Sequence, residues 1–111
     1  MSESQILNQD PTLARIVGRL VEAFHPESLY LFGSRARGEA DADSDYDIVM
    51  VVSDLPQPAY RIAQDAHSSL WDIGAATDIV VWSRSEFARR LHLRASFPAT
   101  VVREGKLLHA A

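Results

Sequence analysis

A Gly-Ser pair and three aspartates are the residues of this chain whose types and spacing best suit chemistry. Gly33-Ser34 follows an apolar run, and a glycine there lets a ligand approach the backbone closely. A serine hydroxyl and free amides at the start of a short helical turn suit phosphate oxygens. The pair therefore indicates a phosphate-binding turn, and an ordinary turn is the alternative.

Asp45 and Asp47 stand two residues apart at the start of a second apolar run. On an extended strand such residues point to the same side, so we expect the two carboxylates to lie side by side. Like charges at that distance repel and raise each other's pKa unless a cation lies between them. A solvated pair at a strand start is one interpretation, but the buried strand behind it favours a metal site.

Three short apolar runs must position these groups. Leu29–Phe32 has the length and aromatic content of a buried strand, and Ile48–Val52 is apolar at every position, as in a central strand covered on both faces. Asp78 precedes the third run, Ile79–Trp82. The residues between the second and third runs are long enough for a crossover helix, which makes the two strands parallel. Asp78 is then expected beside Asp45 and Asp47.

Helices are predicted around these strands. A first helix is predicted to start at Asp10-Pro11 and to end at Pro26. Ser53 to Pro58 is predicted to form a proline-rich turn, and Pro58 to Trp71 is the expected crossover helix. Its inward stripe is predicted to contain Tyr60, Ala63, His67, Leu70 and Trp71, and that of the first helix Leu13, Ile16, Val17, Leu20 and Phe24.

The end of the chain predicts two more helices and a strand. Ser83 and Glu86 form a capping-box pattern for a helix to about Leu93, with Phe87 and Leu91 facing inward. A second helix is predicted from Ser96 to Glu104, with Pro98 in its first turn and Gly105 closing it; a hairpin through Glu104-Gly105 is the alternative. Lys106 to His109 is expected to form an edge strand.

The sequence supports neither a calcium-binding loop nor a site built on histidines. Asp41, Asp43 and Asp45 have the alternate spacing of a calcium loop, but Tyr46 and Val52 occupy the glycine and glutamate positions of an EF-hand. Asp41 and Asp43 are therefore expected to be solvated. The histidines lack neighbours at catalytic or ligand spacing, so each is expected to be structural or exposed; they are His25, His67, His92 and His109.

Composition bounds the class of protein. The chain has 111 residues, 47% of them hydrophobic and none of them cysteine, which predicts a single domain over residues 1–111 without disulfides or thiolate zinc sites. No apolar run is long enough for a membrane span and Met1 to Pro11 lacks a signal-peptide core, so a cytoplasmic protein is the default expectation.

The charge is unevenly distributed. A net charge of -4 argues against extended nucleic-acid binding. Residues 1–78 carry five basic and thirteen acidic side chains, whereas residues 79–111 carry six basic and two acidic ones. The basic end of the chain either faces an acidic partner or is simply solvated.

The Gly33-Ser34, Asp45-Tyr46-Asp47 and Asp78 pattern resembles the DNA polymerase beta nucleotidyltransferase superfamily, and within it the minimal nucleotidyltransferases. Their extended pattern matches the stretch from Gly33 to Ala40, Gly-Ser-Arg-Ala-Arg-Gly-Glu-Ala, followed by Ser44-Asp45-Tyr46-Asp47. The resemblance covers nearly the whole chain. It implies an α+β nucleotidyltransferase fold, with helices packed on a small mixed sheet.

The resemblance also implies roles for the site residues. Asp45 and Asp47 would bridge two Mg²⁺ ions and Asp78 would complete the ion that activates the nucleophile, while Gly33 and Ser34 would hold the phosphates of ATP. Arg35 and Arg37 lie near the expected triphosphate, where an arginine can grip phosphate. Equally, one of them could pair with the aspartates and only hold the loop in shape.

Larger relatives carry a second domain for the acceptor, and this chain ends soon after the catalytic core, so the acceptor site is expected on a partner. Resemblance to minimal nucleotidyltransferases implies a helical HEPN-domain toxin as that partner, in a hetero-oligomer. The implied function is an antitoxin that moves AMP from ATP to a tyrosine of the toxin. The alternative is a non-catalytic module that inhibits its partner by occlusion.

Overall fold

A computed structural model describes residues 3–53 and 57–111. It has an α+β fold: one four-stranded mixed sheet with helices on both faces, as the sequence predicts. The strands are β1 (Ser28–Phe32), β2 (Tyr46–Val52), β3 (Thr77–Ser83) and β4 (Lys106–Ala110). Their order across the sheet is β3-β2-β1-β4.

Strand directions gather the functional segments at one end of the sheet. Strand β1 pairs antiparallel with β2 and with β4, whereas β2 pairs parallel with β3. The C-terminal end of β1 therefore meets the N-terminal ends of β2 and β3. The predicted parallel pairing of the second and third strands is confirmed, and β4 is an edge strand as expected.

Helix α1 (Glu3–Gln9) precedes α2 (Pro11–Phe24), the helix predicted after Asp10. The Asp10 side chain accepts a 3.0 Å hydrogen bond from the Leu13 amide, which satisfies one of the free donors at the helix start. His25 ends α2 in a left-handed conformation, with its amide bonded to the Val21 carbonyl. The predicted stripe of α2 is buried, with Phe24 packed at its margin.

Helix α3 (Ala59–Ser68) is the crossover, followed by a 3₁₀ turn at Trp71–Ile73. Its predicted inward stripe was wrong in three residues, because Tyr60 is 64% and Trp71 83% exposed, and His67 is exposed as well. The helix ends three residues earlier than expected and buries Ile62 and Ala66 instead. Part of the predicted turn from Ser53 to Pro58, residues 54–56, lies outside the described residues.

Helices α4 (Arg84–Arg90) and α5 (Phe97–Glu104) cover the second face of the sheet. Ser83 caps α4 by accepting from the Glu86 amide, and Ser96 caps α5 by accepting from the Ala99 amide. The capping prediction is thus confirmed, and the α5 helix forms rather than the alternative hairpin. Leu91 was wrongly placed inward: α4 ends at Arg90, and Leu91 is 40% exposed.

The two faces of the sheet have separate cores. The face under α2 and α3 holds a large aliphatic cluster that includes Leu13, Leu20, Ile48 and Met50. The face under α4 and α5 holds a smaller cluster around Val49, Val51, Phe87 and Val101, with aromatic rings at its margin. In the described ranges, no helix is both long and apolar enough to cross a membrane.

Candidate active site

The predicted carboxylates come together at the end of the sheet. Asp47 lies opposite Asp78 in the parallel β2–β3 pair and opposite Phe32 in the antiparallel β1–β2 pair. Asp45 stands just before β2, two residues from Asp47. Asp47 is half-buried, while Asp45 and Asp78 are exposed. The structure therefore places one carboxylate against the sheet and two at its solvent-facing edge.

Asp47 is the electrostatic centre of this group. Burial raises the pKa of its carboxyl, and the negative charges of Asp78 and Asp45 raise it further. The positive charge of Arg37 acts in the opposite direction. Asp45 and Asp78 thus both lie within electrostatic reach of Asp47, and a cation beside Asp47 would relieve this repulsion.

Gly33 brings the backbone of the next loop directly against Asp47. Its φ of +76° is in the left-handed region that favours glycine. A Cβ added here would overlap Oδ2 of Asp47. A side chain at this position would therefore displace the central carboxylate, which explains in physical terms why the turn begins with glycine.

The turn after Gly33 offers hydrogen-bond donors to a ligand. The Gly33 carbonyl accepts from the amides of Ala36 (3.1 Å) and Arg37 (3.2 Å), and the Ser34 carbonyl accepts from the Glu39 amide (3.0 Å). These bonds form a single tight turn at Ser34, where the sequence indicates a short helical turn, and the bond from the Arg37 amide to the Gly33 carbonyl has the spacing of an α-helix. Within the described residues, the Ser34 hydroxyl and the amides of Ser34 and Arg35 have no hydrogen-bond partner.

The structure separates the two arginines that the sequence left equivalent. Arg35 holds the loop: its Nε and Nη2 donate to the Ser44 carbonyl at 3.0 and 2.7 Å, and Nη2 also donates to the Asp41 carbonyl at 3.3 Å. Its guanidinium lies 3.9 Å from the centre of the Tyr46 ring. These contacts favour the loop-holding alternative for Arg35.

Arg37 is held only at the surface. Its Nε donates to Glu39 at 3.3 Å, and both side chains are about half exposed. A surface pair of this kind contributes little to stability and is easily exchanged for another partner. Since its charge already acts on Asp47, Arg37 is the arginine that remains available to an anionic ligand at the site.

Tyr46 links three parts of the site and was not recognised from the sequence. Its buried hydroxyl donates to Oδ2 of Asp10 at 2.9 Å, so the strand carrying the aspartates is tied to the cap of α2. Burial and the neighbouring Asp10 raise the pKa of the Tyr46 hydroxyl. The sequence contained a signal for this position. Side chains alternate in direction along β2, so the residue between Asp45 and Asp47 points away from them and into the core.

Two open grooves flank Asp78. On the α5 side, a cleft of about 280 Å³ is lined by Asp47 and Asp78 together with apolar side chains that include Phe32, Val80 and Phe97. The α3 side has a groove of about 610 Å³ that includes Asp78 and His67. His67 is exposed rather than part of the predicted inward stripe, and its Nδ1 lies 3.5 Å from the Thr77 hydroxyl. Sequence reasoning missed the apolar walls of the first cleft.

The donor chemistry suits a magnesium ion. Carboxylate oxygens are the ligands that hard divalent cations prefer, and no arginine or lysine of the described residues forms a salt bridge with Asp45, Asp47 or Asp78. The coordination shell is not closed: among residues 3–53 and 57–111, no three acidic or histidine side chains already surround one ion position. The three aspartates therefore match a magnesium ion in the type of their donor atoms and in their position at one end of the sheet.

Comparisons with known proteins agree with this geometry. The chain resembles a toxin-antitoxin crystal structure with AMP-PNP at 25% identity (TM-score 0.52, 87% of this chain and 73% of that one). It resembles a candidate nucleotidyltransferase from Sulfolobus solfataricus at 23% identity (TM-score 0.56, 95% and 80%). A variant of the toxin-antitoxin complex MntA-HpeT also matches at 23% identity (TM-score 0.54, 88% and 73%).

Curated protein sequences contain no significant match. The family model described as "Nucleotidyltransferase domain" matches residues 12–104, which include the Gly33-Ser34 turn, all three aspartates and nearly all of the helices α2 to α5. The chain belongs to the nucleotidyltransferase domain family.

Proposed function

We propose that this chain, as a single domain over residues 1–111, transfers AMP from ATP to a hydroxyl group of a partner protein. The observation that carries the proposal is the convergence of Asp45, Asp47 and Asp78 with the Gly33-Ser34 turn at one end of the sheet. Such transfer needs little covalent work from a protein. It needs a held triphosphate, neutralised charge and an aligned acceptor.

The turn is suited to hold the phosphates. The free amides of Ser34 and Arg35 and the Ser34 hydroxyl can donate to phosphate oxygens, and Gly33 leaves room for the Asp47 carboxylate beside the turn. Arg37 can exchange its surface pair with Glu39 for a phosphate, where a guanidinium donates two parallel hydrogen bonds. Arg35 supports this arrangement from behind by fixing the loop.

The carboxylates would hold Mg²⁺ ions, with Asp45 and Asp47 shared between two ions and Asp78 on one of them. When bound, these ions supply positive charge to the phosphates and to the attacking oxygen. Asp47 is fixed in position by the sheet, while Asp45 and Asp78 are exposed enough to rotate towards a ligand. Asp78 stands at the rim next to both grooves, so the acceptor is expected to approach from its side.

In the proposed transfer, the acceptor hydroxyl attacks the α-phosphate of ATP and loses its proton to water or to a carboxylate. The acceptor oxygen forms a bond to the α-phosphorus while the bond from that phosphorus to the bridging oxygen of the β-phosphate breaks. Pyrophosphate leaves, and the hydroxyl proton passes to Asp78 or to solvent. Ser34 and Arg37 stabilise the negative charge that accumulates on the leaving pyrophosphate.

An antitoxin role is supported by two neighbours that are toxin-antitoxin structures, one of them with AMP-PNP. With the resemblance to minimal nucleotidyltransferases, this supports a helical HEPN-domain toxin as partner, a tyrosine of that toxin as acceptor, and a hetero-oligomer. Modification of a toxin residue would neutralise the toxin.

An intact-mass spectrum of the cognate toxin tests the proposal. The toxin is incubated with this protein, Mg²⁺ and ATP, and the control protein carries Asp45→Ala together with Asp47→Ala. We expect the toxin to gain the mass of one or more AMP units only with the unchanged protein. Peptide mapping then identifies the modified residue.

A toxin that gains no mass but is inhibited in a tight complex with either protein would contradict the transferase proposal. That result would establish inhibition by occlusion, the alternative function. Circular dichroism of the double variant shows whether a lost activity reflects a lost site or a lost fold.

A further inference from the structure

The surface formed by α4, α5 and their connecting turn is basic and partly apolar. We call residues 84–97 with Arg103 the α4–α5 surface. Leu91, Leu93 and Phe97 are 40%, 48% and 36% exposed, an unusual set of large apolar side chains for a single turn. The turn is compact, since the Ser96 hydroxyl donates to the Arg90 carbonyl at 2.7 Å and the Leu93 amide to the same carbonyl at 3.0 Å.

The α4–α5 surface carries more positive charge than its own acids can balance. Its arginines are exposed and outnumber its acids: Glu86 pairs with both Arg89 and Arg90, and Glu104 of α5 pairs with Arg103 at 3.6 Å. Arg103 is turned towards the same segment, since its Nη1 donates to the Arg94 carbonyl at 3.4 Å. Among the described residues, the guanidinium of Arg94 has no acidic partner.

This surface is continuous with the candidate active site. Phe97 begins α5 and also lines the cleft that contains Asp47 and Asp78. Val80, on the edge strand β3, lines the same cleft and is 39% exposed. Exposed apolar side chains therefore occur both in the basic turn and along the cleft that includes Asp78, and Phe97 belongs to both regions.

We propose that the α4–α5 surface docks the acceptor polypeptide, and that it selects a segment with acidic and apolar residues beside the acceptor hydroxyl. Acidic side chains would pair with Arg94 and its neighbours, apolar ones would cover Leu91 and Leu93, and the hydroxyl would reach Asp78 through the cleft. This inference rests on the proposed function, for which it specifies the kind of acceptor.

The same surface is poorly suited to nucleic acid. A phosphate backbone leading along the cleft would meet the negative charges of Asp47 and Asp78. It also offers no aliphatic side chains to cover the exposed leucines of the turn. A protein segment can place its acids at the arginines and a neutral side chain near the carboxylates, which satisfies both regions.

Tryptophan fluorescence provides a direct binding test. The ring of Trp82 lies 6.0 Å from that of Phe97 in a stacked arrangement, so occupation of the cleft changes its surroundings. Trp71→Phe removes the other tryptophan, which is 83% exposed. The probes are a short acetylated peptide with a central tyrosine flanked by leucine and glutamate, and a matched peptide in which lysine replaces every glutamate.

We expect the acidic peptide to bind at least about fivefold more tightly than the basic one in the Trp71→Phe protein. Arg94→Glu should remove this preference, whereas Arg61→Glu, the same charge change on exposed α3, should preserve it. Equal binding of the two peptides, no binding of either, or an unaffected preference in Arg94→Glu would overturn the docking proposal. Tighter binding of a single-stranded RNA oligonucleotide than of the acidic peptide would also overturn it.

AMP-PNP binding in Mg²⁺, measured on the same proteins, separates this inference from the proposed function. Arg94→Glu should leave AMP-PNP affinity unchanged. Nucleotide binding without acidic-peptide binding would refute the docking surface and leave the transferase proposal standing. Acidic-peptide binding through Arg94 without nucleotide binding would confirm the surface and refute the transferase.

Discussion

The two faces of the sheet are built differently, and the difference separates stability from function. Under α2 and α3 the side chains are aliphatic and mostly fully buried. Under α4 and α5 the cluster is smaller, with Phe87 among valines at its centre and the partly covered rings of Trp82, Phe32 and Phe97 at its margin. Asp47 and Asp78 share a cleft with Phe32 and Phe97, so the candidate chemistry lies on the less buried face.

Removing the central carboxylates should have the largest functional effect and almost no structural one. For Asp45→Ala with Asp47→Ala we expect transfer to fall by about 1,000-fold, roughly 4 kcal/mol, because the charge that holds the metal is lost. Loss of like charges should keep the melting temperature the same or raise it. The rate of AMP transfer to the toxin, followed by intact mass, measures the first effect, and thermal melting measures the second.

Asp43→Ala with Asp65→Ala is the charge-matched control, since both side chains are exposed. If the active-site pair instead unfolds the protein while this control does not, the aspartates are structural, and the division between the two faces fails.

The second largest effect is the loss of stability when a side chain is shortened on one face of the sheet or on the other. Leu20→Ala on the aliphatic face removes a side chain that is 0% exposed, and we expect a loss of about 3 kcal/mol in the free energy of unfolding. Val80→Ala on the other face should cost about 0.5 kcal/mol, because Val80 is 39% exposed. Chemical denaturation of both variants gives the comparison, and similar costs would contradict it.

Two glycines with similar backbone conformations should separate strain from function. Gly33 and Gly38 have φ values of +76° and +74°, so alanine at either should cost about 1 kcal/mol of strain. An added Cβ at Gly38 meets no atom within 4 Å, whereas at Gly33 it overlaps Asp47. We expect AMP-PNP affinity to fall about tenfold in Gly33→Ala alone, and equal affinities would show that the contact has no functional weight.

The smallest effect concerns the pH dependence of stability. Since the folded-state pKa of Asp47 is raised, its ionisation destabilises the folded protein, and stability is lost as pH rises through that pKa. Asp47→Asn should therefore be slightly more stable than wild type at neutral pH, by less than about 4 °C in melting temperature because solvent screens the half-buried group. The advantage should vanish at acidic pH. A constant difference across pH would mean that the repulsion is negligible.

Much of this architecture could be predicted because its signals are local. Asp10-Pro11 marks a helix start, Ser83 and Ser96 mark two more, and the apolar run after Asp47 marks a central strand. The meeting of Asp47 and Asp78 followed from one topological rule about parallel strands. These features depend on spacing within a short stretch of chain.

The parts that escaped prediction depend on contacts between distant residues. Trp71 is exposed because α3 ends early and the chain turns at Gly74, a change that the helical spacing does not encode. The separate roles of Arg35 and Arg37 depend on where the Ser44 carbonyl and the Tyr46 ring lie. Helix α1 has only seven residues, so its formation depends on packing rather than propensity.

Tyr46 has a consequence for how the site opens. Its amide donates to the Ala76 carbonyl at 2.9 Å, its hydroxyl binds the α2 cap and its ring supports Arg35, so β2, α2 and the loop should loosen together. In hydrogen–deuterium exchange, the Tyr46 amide should then be protected by a cooperative unit. The amides of Ser34 and Arg35 should exchange rapidly until a triphosphate covers them, so nucleotide occupancy becomes visible at two adjacent positions against a slowly exchanging background.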